Sequence, residues 1–356
     1  MAKRVALALG SGGARGYAHI GVINELRDRG YEVVGIAGSS MGALVGGVYA
    51  AGSLDEFTEW AQTLTQRTML RLLDPSISAA GVLRAGKILD AVRDMLGDAA
   101  IENLPIPFTA VATDLISGKS VWLQRGPVDD AIRASIAIPG IVAPHVLDGR
   151  LLADGGILDP LPMAPIAAVN ADLTIAVSLS GTDTDLRADE PTGLEMTATR
   201  ERLNRLLRST SALLETPTAR SVLSRFGTGA EIASDTEIST ANSNANSNAN
   251  SGADESDSEI SDSGEFEAPA PKLGSFAVMN RTIEIAQAAL ARHQLAAYPP
   301  DVLIEVPRTA CRSLDFHRAA ELIELGRELA AKALDSSSEE TENLPGVRDR
   351  DQRSPA

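Results

Sequence analysis

Residues 32–51 read EVVGIAGSSMGALVGGVYAA, and within them Gly38-Ser39-Ser40-Met41-Gly42 is a G-x-S-x-G pentapeptide. An apolar, strand-like run precedes the pentapeptide, and a run of small residues typical of a tightly packed helix follows it. A serine at such a strand-to-helix turn forms a nucleophile elbow, in which flanking glycines let the backbone turn sharply. The stretch therefore predicts Ser40 as a nucleophile at the carboxyl end of a strand. A plain glycine-rich turn between Gly38 and Gly42 is the alternative.

Strand-like and helix-like runs alternate on both sides of this stretch. The predicted strands are 4–9, 32–38, 108–114, 120–123, 173–179 and 301–306. The predicted helices are 17–29, 41–51, 54–73, 87–96, 128–136, 276–293 and 316–334. Such alternation favours an α/β fold with a mainly parallel central sheet.

Two segments have a different composition. Residues 226–271 hold ten acidic and no basic side chains, and the tail from Asp335 holds six acidic and three basic ones. Segments of this kind cannot bury enough apolar surface to offset the entropy lost on ordering. We therefore predict one domain made of 1–180 and 276–334, an insertion at 181–275 that is disordered at about 227–271, and a disordered acidic tail at 335–356.

Composition excludes several classes of protein. The net charge of −16 lies mostly in the two acidic segments, and no basic stripe is present, so we expect no nucleic-acid partner. The single cysteine, Cys311, excludes an internal disulfide framework and a cysteine-based metal cluster. The apolar run at 5–9 is too short for a signal peptide, and no stretch is long enough to span a membrane. We expect a cytoplasmic location, with peripheral contact at a membrane left open.

A serine nucleophile needs a base, and two kinds of base are available. Among the histidines, His293 or His317 would fit the chain order of a Ser–Asp–His triad, but neither follows a late strand. The other candidate is Asp154, at the end of an apolar run and directly before Gly155 and Gly156. A carboxylate there could accept a hydrogen bond from the serine hydroxyl. Its alternative role is that of an ordinary Asp-Gly turn residue.

A glycine-rich loop, Gly10-Ser11-Gly12-Gly13-Ala14-Arg15-Gly16, joins the first strand to its helix. Its exposed amides and the helix N-terminus suit a phosphate or an oxyanion. A Walker A loop is excluded because no Gly-Lys-Ser/Thr follows, and the glycine spacing does not fit a dinucleotide fingerprint. The loop therefore predicts an oxyanion site at Gly12, Gly13 and the neighbouring amides of Ala14 and Arg15.

These three motifs, in this order, resemble the patatin-like phospholipase family, and more narrowly its bacterial and archaeal stand-alone members. The likeness covers residues 4–180 and reappears at 276–334. It implies a three-layer α/β/α sandwich, no cofactor or metal, and hydrolysis of carboxylic esters in lipids by a Ser–Asp dyad without histidine. By position, Ser40 is the nucleophile and Asp154 the proton acceptor. The resemblance also assigns the oxyanion hole to Gly12 and Gly13, matches Arg15 to the family's loop arginine, and includes the motif glycines Gly10, Gly16, Gly38, Gly42, Gly155 and Gly156.

The resemblance leaves several points open. Ser11 stands where a further glycine is common, which is tolerable if its φ is negative. A helix predicted at 194–214 is a candidate lid or membrane contact, and the rest of the insertion is either a lid or a solvated spacer. The expected partner is a lipid ester substrate, with transient contact at a membrane surface. The alternative class is a non-catalytic lipid-binding or regulatory module on the same fold.

Overall fold

The computed structural model describes residues 2–65, 67–68, 86–181 and 275–342, all within one compact unit of the chain. Eight strands of this part form one sheet. The strands are β1 (Arg4–Leu9), β2 (Glu32–Ser39), β3 (Phe108–Asp114), β4 (Lys119–Leu123), β5 (His145–Leu147), β6 (Arg150–Asp154), β7 (Leu173–Gly181) and β8 (Val302–Pro307). The helices are α1 (Ala18–Asp28), α2 (Met41–Ala50), α3 (Leu54–Thr63), α4 (Gly86–Leu96), α5 (Val128–Ser135), α6 (Ser275–Ala297) and α7 (Ala319–Glu342).

The sheet is mostly parallel, with the strand order β5-β6-β3-β2-β1-β7-β8 and β4 also paired to β3. Strands β3, β2, β1, β7 and β8 form the parallel centre. Strands β4 and β6 pair antiparallel with β3, and β5 pairs antiparallel with β6. Parallel neighbours need long crossover connections, and the helices supply these.

Helices cover both faces of the sheet, as the alternation of side chains along β1 makes clear. Val5, Leu7 and Leu9 belong to a buried cluster with side chains of α1, α2, α3 and α7. Ala6 and Ala8 face the opposite side, where they pack with the segment after β6 and with α6. Successive strand residues point to opposite faces, so one strand contributes to both layers of core. The predicted α/β/α sandwich with a mainly parallel sheet is confirmed.

Strand β3 positions the ends of two other strands. Strand β4 pairs along β3 from Ala110 to Asp114 and so occupies one edge. The opposite edge is shared: β2 pairs with its first half, up to Val111, and β6 pairs with its second half, from Ala112. Because β2 is parallel and β6 antiparallel to β3, the carboxyl ends of β2 and β6 meet at the middle of this edge.

The last helix differs from the prediction. It continues past the predicted end at Leu334 to Glu342, so the expectation of a disordered tail is wrong for residues 335–342. Asp335 forms an ion pair with Arg29 at 2.6 Å, and the hydroxyls of the serines that follow donate to carbonyls one turn back. These tertiary and local contacts extend a helix whose composition alone favours solvent. The helix predicted at 194–214 and the disorder predicted at 227–271 lie outside the described residues.

Candidate active site

Ser40 occupies a sharp turn between β2 and α2. Its φ of 55° and ψ of −120° place a residue with a side chain in a region that glycine favours. Such a conformation costs about 1–3 kcal/mol and persists only where the surroundings impose it. The close packing of the turn imposes it here, because a Cβ on Gly38 would lie 2.3 Å from the carbonyl oxygen of Gly42, and a Cβ on Gly42 would lie 2.1 Å from that of Leu9.

A buried hydrogen-bond chain holds the backbone of this turn. The amide of Ser40 donates to the hydroxyl oxygen of Ser135 at 2.9 Å. The hydroxyl of Ser135 in turn donates to the carbonyl of Val111, on β3, at 2.6 Å. The end of α5 therefore ties the elbow to the neighbouring strand. Nothing in the sequence indicates this role for Ser135, because its hydrogen-bond partners are distant in the chain.

The Ser40 hydroxyl contacts Asp154 directly. Its Oγ donates to Oδ2 of Asp154 at 2.5 Å, and both residues are buried. The meeting of β2 and β6 on one edge of β3 brings these two side chains together. The other carboxylate oxygen, Oδ1, accepts the amide of Gly156 at 2.7 Å, which fixes the orientation of the carboxylate.

The environment of Asp154 changes its acidity. Burial raises the pKa of this carboxyl from 3.8 to about 6, while the hydrogen bonds from Ser40 and from the amide of Gly156 act in the opposite direction. At neutral pH the group is mostly ionised and can accept a proton. Its basicity nevertheless exceeds that of an ordinary aspartate.

No histidine of the described chain hydrogen-bonds Ser40 or Asp154. The ring of His19 is buried, with Nε2 2.9 Å from the carbonyl oxygen of Gly10, and burial lowers its pKa to about 4. His145 lies on β5 beside Arg133, whose Nε donates to Nδ1 at 3.0 Å. The two histidines that fitted the triad order lie on the surface, at 293 in α6 and 317 just before α7.

The glycine-rich loop presents two unpaired amides. Its neighbours are engaged: the amides of Gly10, Ser11 and Ala14 donate to the carbonyls of Val177, Pro160 and Ser313. The amides of Gly12 and Gly13 have no hydrogen-bond partner among the described residues. The Ala14 amide, which was among the expected oxyanion donors, is not free for that role, because it donates to the carbonyl oxygen of Ser313 at 2.9 Å. The amide of Met41, in the first turn of α2, likewise has no partner in the described part, and the general elbow geometry could have suggested it.

Only glycine fits at position 13 of this loop. Its φ is +60°, and a Cβ would lie 2.3 Å from the carbonyl oxygen of Ser313. Ser11, in contrast, is absent from the residues with positive φ, so the departure from glycine there brings no backbone strain. The remaining motif glycines also lie where a Cβ would meet a neighbouring atom within 3.0 Å: Gly10, Gly12, Gly16, Gly155 and Gly156.

Arg15 anchors the glycine-rich loop to α6 and to the segment that follows β8. Its guanidinium donates to Glu284 on α6 at 3.2 Å, to the carbonyl of Arg308 at 3.1 Å and to the hydroxyl of Ser313 at 3.4 Å. Ser313 also donates to Glu284, at 2.5 Å. The arginine is buried and is absent from the lining of the cavity that contains Ser40. It therefore orients the loop, which the sequence left undecided.

An apolar cavity of about 90 Å³ opens at the nucleophile. Ser40, Gly13 and Met41 are among the residues that line it, so the elbow and the glycine-rich loop both border this space. The remaining lining is apolar or aromatic: Tyr17, Leu44, Phe57, Trp60, Leu64, Ile88, Ile136, Ile138, Ile141, Val142, Leu314 and Phe316. Trp60 packs against Phe57 with ring centroids 5.7 Å apart and also faces this cavity.

Within the described residues, every helix is too short or too polar to span a bilayer. No group of three or more histidine, cysteine, aspartate or glutamate side chains in the same part of the chain is arranged to hold a metal ion.

A sandwich of this kind, with a serine elbow beside an aspartate at a strand end, is typical of patatin-like proteins. The family model described as patatin-like phospholipase matches residues 7–167, which include the loop, the elbow and Asp154. Uncharacterised NTE family proteins of Mycobacterium tuberculosis and Mycobacterium bovis are 65% identical over 334 residues, which is 94% of this chain and 92% of theirs. The chain belongs to the patatin-like phospholipase family and, within it, to the NTE family proteins.

More distant similarities are partial. The neuropathy target esterase sws of Drosophila melanogaster is 31% identical over 190 residues, covering 51% of this chain and 13% of that protein. Among solved structures, VipD from Legionella pneumophila aligns with a TM-score of 0.41 and 14% identity, over 94% of this chain and 67% of VipD.

Proposed function

We propose that this protein is a serine acyl hydrolase that cleaves carboxylic ester bonds of lipids with Ser40 as nucleophile and Asp154 as base. The observation that carries the proposal is the 2.5 Å hydrogen bond between these side chains, of which Ser40 lines an apolar cavity. A serine hydroxyl becomes a competent nucleophile when an adjacent group accepts its proton. Asp154 has the position, the orientation and the raised basicity for that role.

In the acylation step, Ser40 Oγ attacks the ester carbonyl carbon while its proton passes to Oδ2 of Asp154. The carbonyl oxygen becomes an oxyanion, which the amides of Gly12 and Gly13 stabilise by donating hydrogen bonds. The tetrahedral intermediate collapses as the bond to the alcohol oxygen breaks. Asp154 returns the proton to that oxygen, so an alcohol leaves and an acyl ester remains on Ser40.

In the deacylation step, the same carboxylate acts on water. Asp154 accepts a proton from a water molecule as its oxygen attacks the acyl carbonyl, and the second oxyanion occupies the same two amides. The bond to Ser40 Oγ then breaks, and the proton moves from Asp154 to that oxygen. A free carboxylic acid leaves, and the serine hydroxyl is restored.

The cavity supports a lipid ester as substrate. Its lining is almost entirely apolar and aromatic, which suits an acyl chain and offers no partner for a sugar or peptide group. The relatives point in the same direction, since one carries the name of an esterase and the matching family is that of phospholipases.

The test compares Ser40→Ala and Asp154→Asn with a matched control, Ser39→Ala. Ser39 is the adjacent buried serine, and its Oγ has no hydrogen-bond partner among the described residues, so its removal is expected to leave hydrolysis intact. We expect hydrolysis of p-nitrophenyl butyrate to fall about a thousandfold or more in the first two variants. A fluorophosphonate probe should label the wild type and Ser39→Ala but not Ser40→Ala.

The same experiment distinguishes an acyl hydrolase from the alternative class, a non-catalytic module on the same fold. A lipid-binding or regulatory module would take up lipid without reacting with the probe. Absence of probe labelling in the folded wild type, or full activity in Ser40→Ala, would refute the proposal.

A further inference from the structure

A second cleft, of about 840 Å³, lies beside the acyl cavity. One wall is α6, from Asn280 to Glu284, and the other is the segment between β8 and α7, from Arg308 to Arg318. Leu314 lines both the cleft and the acyl cavity, so the two spaces meet at this side chain. We name this second space the arginine cleft.

Positive charge is concentrated in the arginine cleft, although the whole chain carries a net charge of −16. Five arginines and two carboxylates line it. Arg15 and Arg281 both pair with Glu284, and Arg318 pairs outside the cleft with Glu321. Glu284 is therefore shared by two arginines, whereas Asp315 accepts the backbone amide of Arg312 and has no cationic side chain paired with it among the described residues.

Two of the five guanidinium groups are available. Arg308 contributes its backbone carbonyl to the contact with Arg15, and Arg312 contributes its backbone amide to a bond with Asp315 at 3.1 Å. Neither guanidinium has an ion-pair or hydrogen-bond partner among the described residues. The planar fork of arginine matches the oxygens of a phosphate group and donates two parallel hydrogen bonds to it.

The side chain shared by the two spaces, Leu314, is apolar and 37% exposed. On α6, directly before the cleft residue Asn280, the side chains of Val278 and Met279 are 47% and 40% exposed. Met279 also reaches the loop that follows α5, because a Cβ on Gly140 would lie 3.0 Å from its methyl group. An ester whose acyl chain enters the cavity would thus pass over apolar side chains before its polar end meets the arginines.

We propose that the arginine cleft binds the phosphate group of the lipid substrate, with Arg308 and Arg312 as its ligands. This inference rests on the proposed acyl hydrolase function and assigns the headgroup end of the same site. The acyl cavity holds the chain that is cleaved, and the two guanidinium groups hold the phosphate on the other side of Leu314. The enzyme therefore selects phosphate-bearing lipids over neutral esters of the same chain length.

The experiment compares dibutyryl phosphatidylcholine with tributyrin, both below the concentrations at which they aggregate. The measured quantity is the ratio of kcat/KM for the phospholipid to kcat/KM for the neutral ester. We expect the Arg308→Gln/Arg312→Gln variant to lower this ratio about tenfold, since each exposed charge contributes modestly. The Arg308→Lys/Arg312→Lys variant should lower it less, because the charge remains while the fork is lost.

Arg292→Gln is the matched control. Arg292 is an exposed arginine of α6 that is absent from the lining of the cleft. Its removal changes the net charge without touching the arginine cleft, so the ratio should stay at the wild-type value. An unchanged ratio in the Arg308/Arg312 variant, or an equal fall in Arg292→Gln, would overturn the assignment.

Two further measurements complete the test. One distinguishes a lipid phosphate from free inorganic phosphate. The other distinguishes failure of this inference from failure of the proposed function. If inorganic phosphate binds through both arginines while the substrate ratio is unchanged, the cleft takes a free anion and the lipid assignment is wrong. If the wild type hydrolyses neither ester, the proposed function fails. Calorimetric binding of dibutyryl phosphatidylcholine to Ser40→Ala then tests the cleft alone: affinity that depends on the two arginines supports it, and affinity that does not overturns it.

Discussion

Replacing Asp154 by asparagine should change activity and pH-dependent stability in opposite directions. The side chains are nearly isosteric, so the amide of Gly156 keeps its acceptor, and the new amide group can donate to Ser40 Oγ. The variant cannot accept a proton, however. For the wild type, a base with a pKa of about 6 predicts that kcat/KM is half-maximal near that pH and about tenfold below its maximum one pH unit lower.

The stability effect follows from the same shift. Burial raises the pKa of Asp154 from 3.8 to about 6, so the folded state binds this proton more tightly than the unfolded chain. One pKa unit corresponds to about 1.4 kcal/mol, so ionising the buried group costs about 3 kcal/mol. This contribution to the free energy of unfolding is present below the unfolded pKa and is lost as the pH rises through the folded one. The side chain of Asp154→Asn cannot ionise, so the variant does not lose this stability as the pH rises.

The assay is urea unfolding of wild type and Asp154→Asn at pH 4 and pH 7. Relative to wild type, the variant should gain about 2 kcal/mol between the two pH values, because the unfolded carboxyl is already more than half ionised at pH 4 and shared titrations cancel in the difference. Ser39→Ala, which leaves the carboxyl in place, should show no such gain. A difference that is the same at both pH values would refute the view that Asp154 is a desolvated base.

Three further predictions concern the groups around the dyad. Gly13→Ala should lower kcat about a hundredfold, since its Cβ would meet a backbone carbonyl at 2.3 Å and displace a proposed oxyanion donor; Gly97→Ala, also at positive φ but with no atom within 4 Å, should cost stability without that loss. Ser135→Ala should cost about 1–3 kcal/mol in urea unfolding, because it leaves the buried amide of Ser40 without an acceptor. Trp60→Ala should raise the rate on p-nitrophenyl octanoate relative to that on p-nitrophenyl butyrate about tenfold, because it enlarges the acyl cavity. That cavity, at about 90 Å³, is smaller than the roughly 150 Å³ of a protein cavity that takes up benzene. An unchanged ratio would mean that Trp60 does not limit chain length.

Local sequence was sufficient for most of the elements and for the candidate residues, although strand β5 was not predicted and the helix predicted at 54–73 ends at Thr63. The G-x-S-x-G stretch, with its apolar run before and small residues after, predicts the turn at Ser40 because elbow packing excludes a Cβ at both glycines. The alternation of strand-like and helix-like runs predicts the α/β/α sandwich, because this pattern can also be read from neighbouring residues alone. Asp154 was predicted from its place at a strand end, and the structure places it against Ser40. The catalytic role of the pair stays a proposal.

Long-range pairing other than that of Ser40 with Asp154, which the family resemblance implied, was not predictable from the sequence. Arg15 contacts Glu284, 269 positions away, and nothing local to either residue indicates the other. The same holds for Ser135 and the Ser40 amide, 95 positions apart. The Arg29–Asp335 contact, formed where α7 continues past its predicted end, likewise joins residues that are distant in the chain. Each of these contacts forms only in the tertiary fold, so neither hydrophobic periodicity nor helix propensity indicates it.

The shared edge of β3 has a consequence for how the protein acquires its activity during synthesis. Ser40 and Asp154 are 114 positions apart, and they meet only after β2 and β6 have each joined the same strand. On the proposed mechanism, a growing chain that has completed the elbow still lacks its base, and Ser40 stays unreactive until the second half of the β3 edge is filled. Hydrolysis therefore reports the completion of long-range assembly, and a refolding chain should regain it with the slow closure of non-local contacts rather than with the fast appearance of helices.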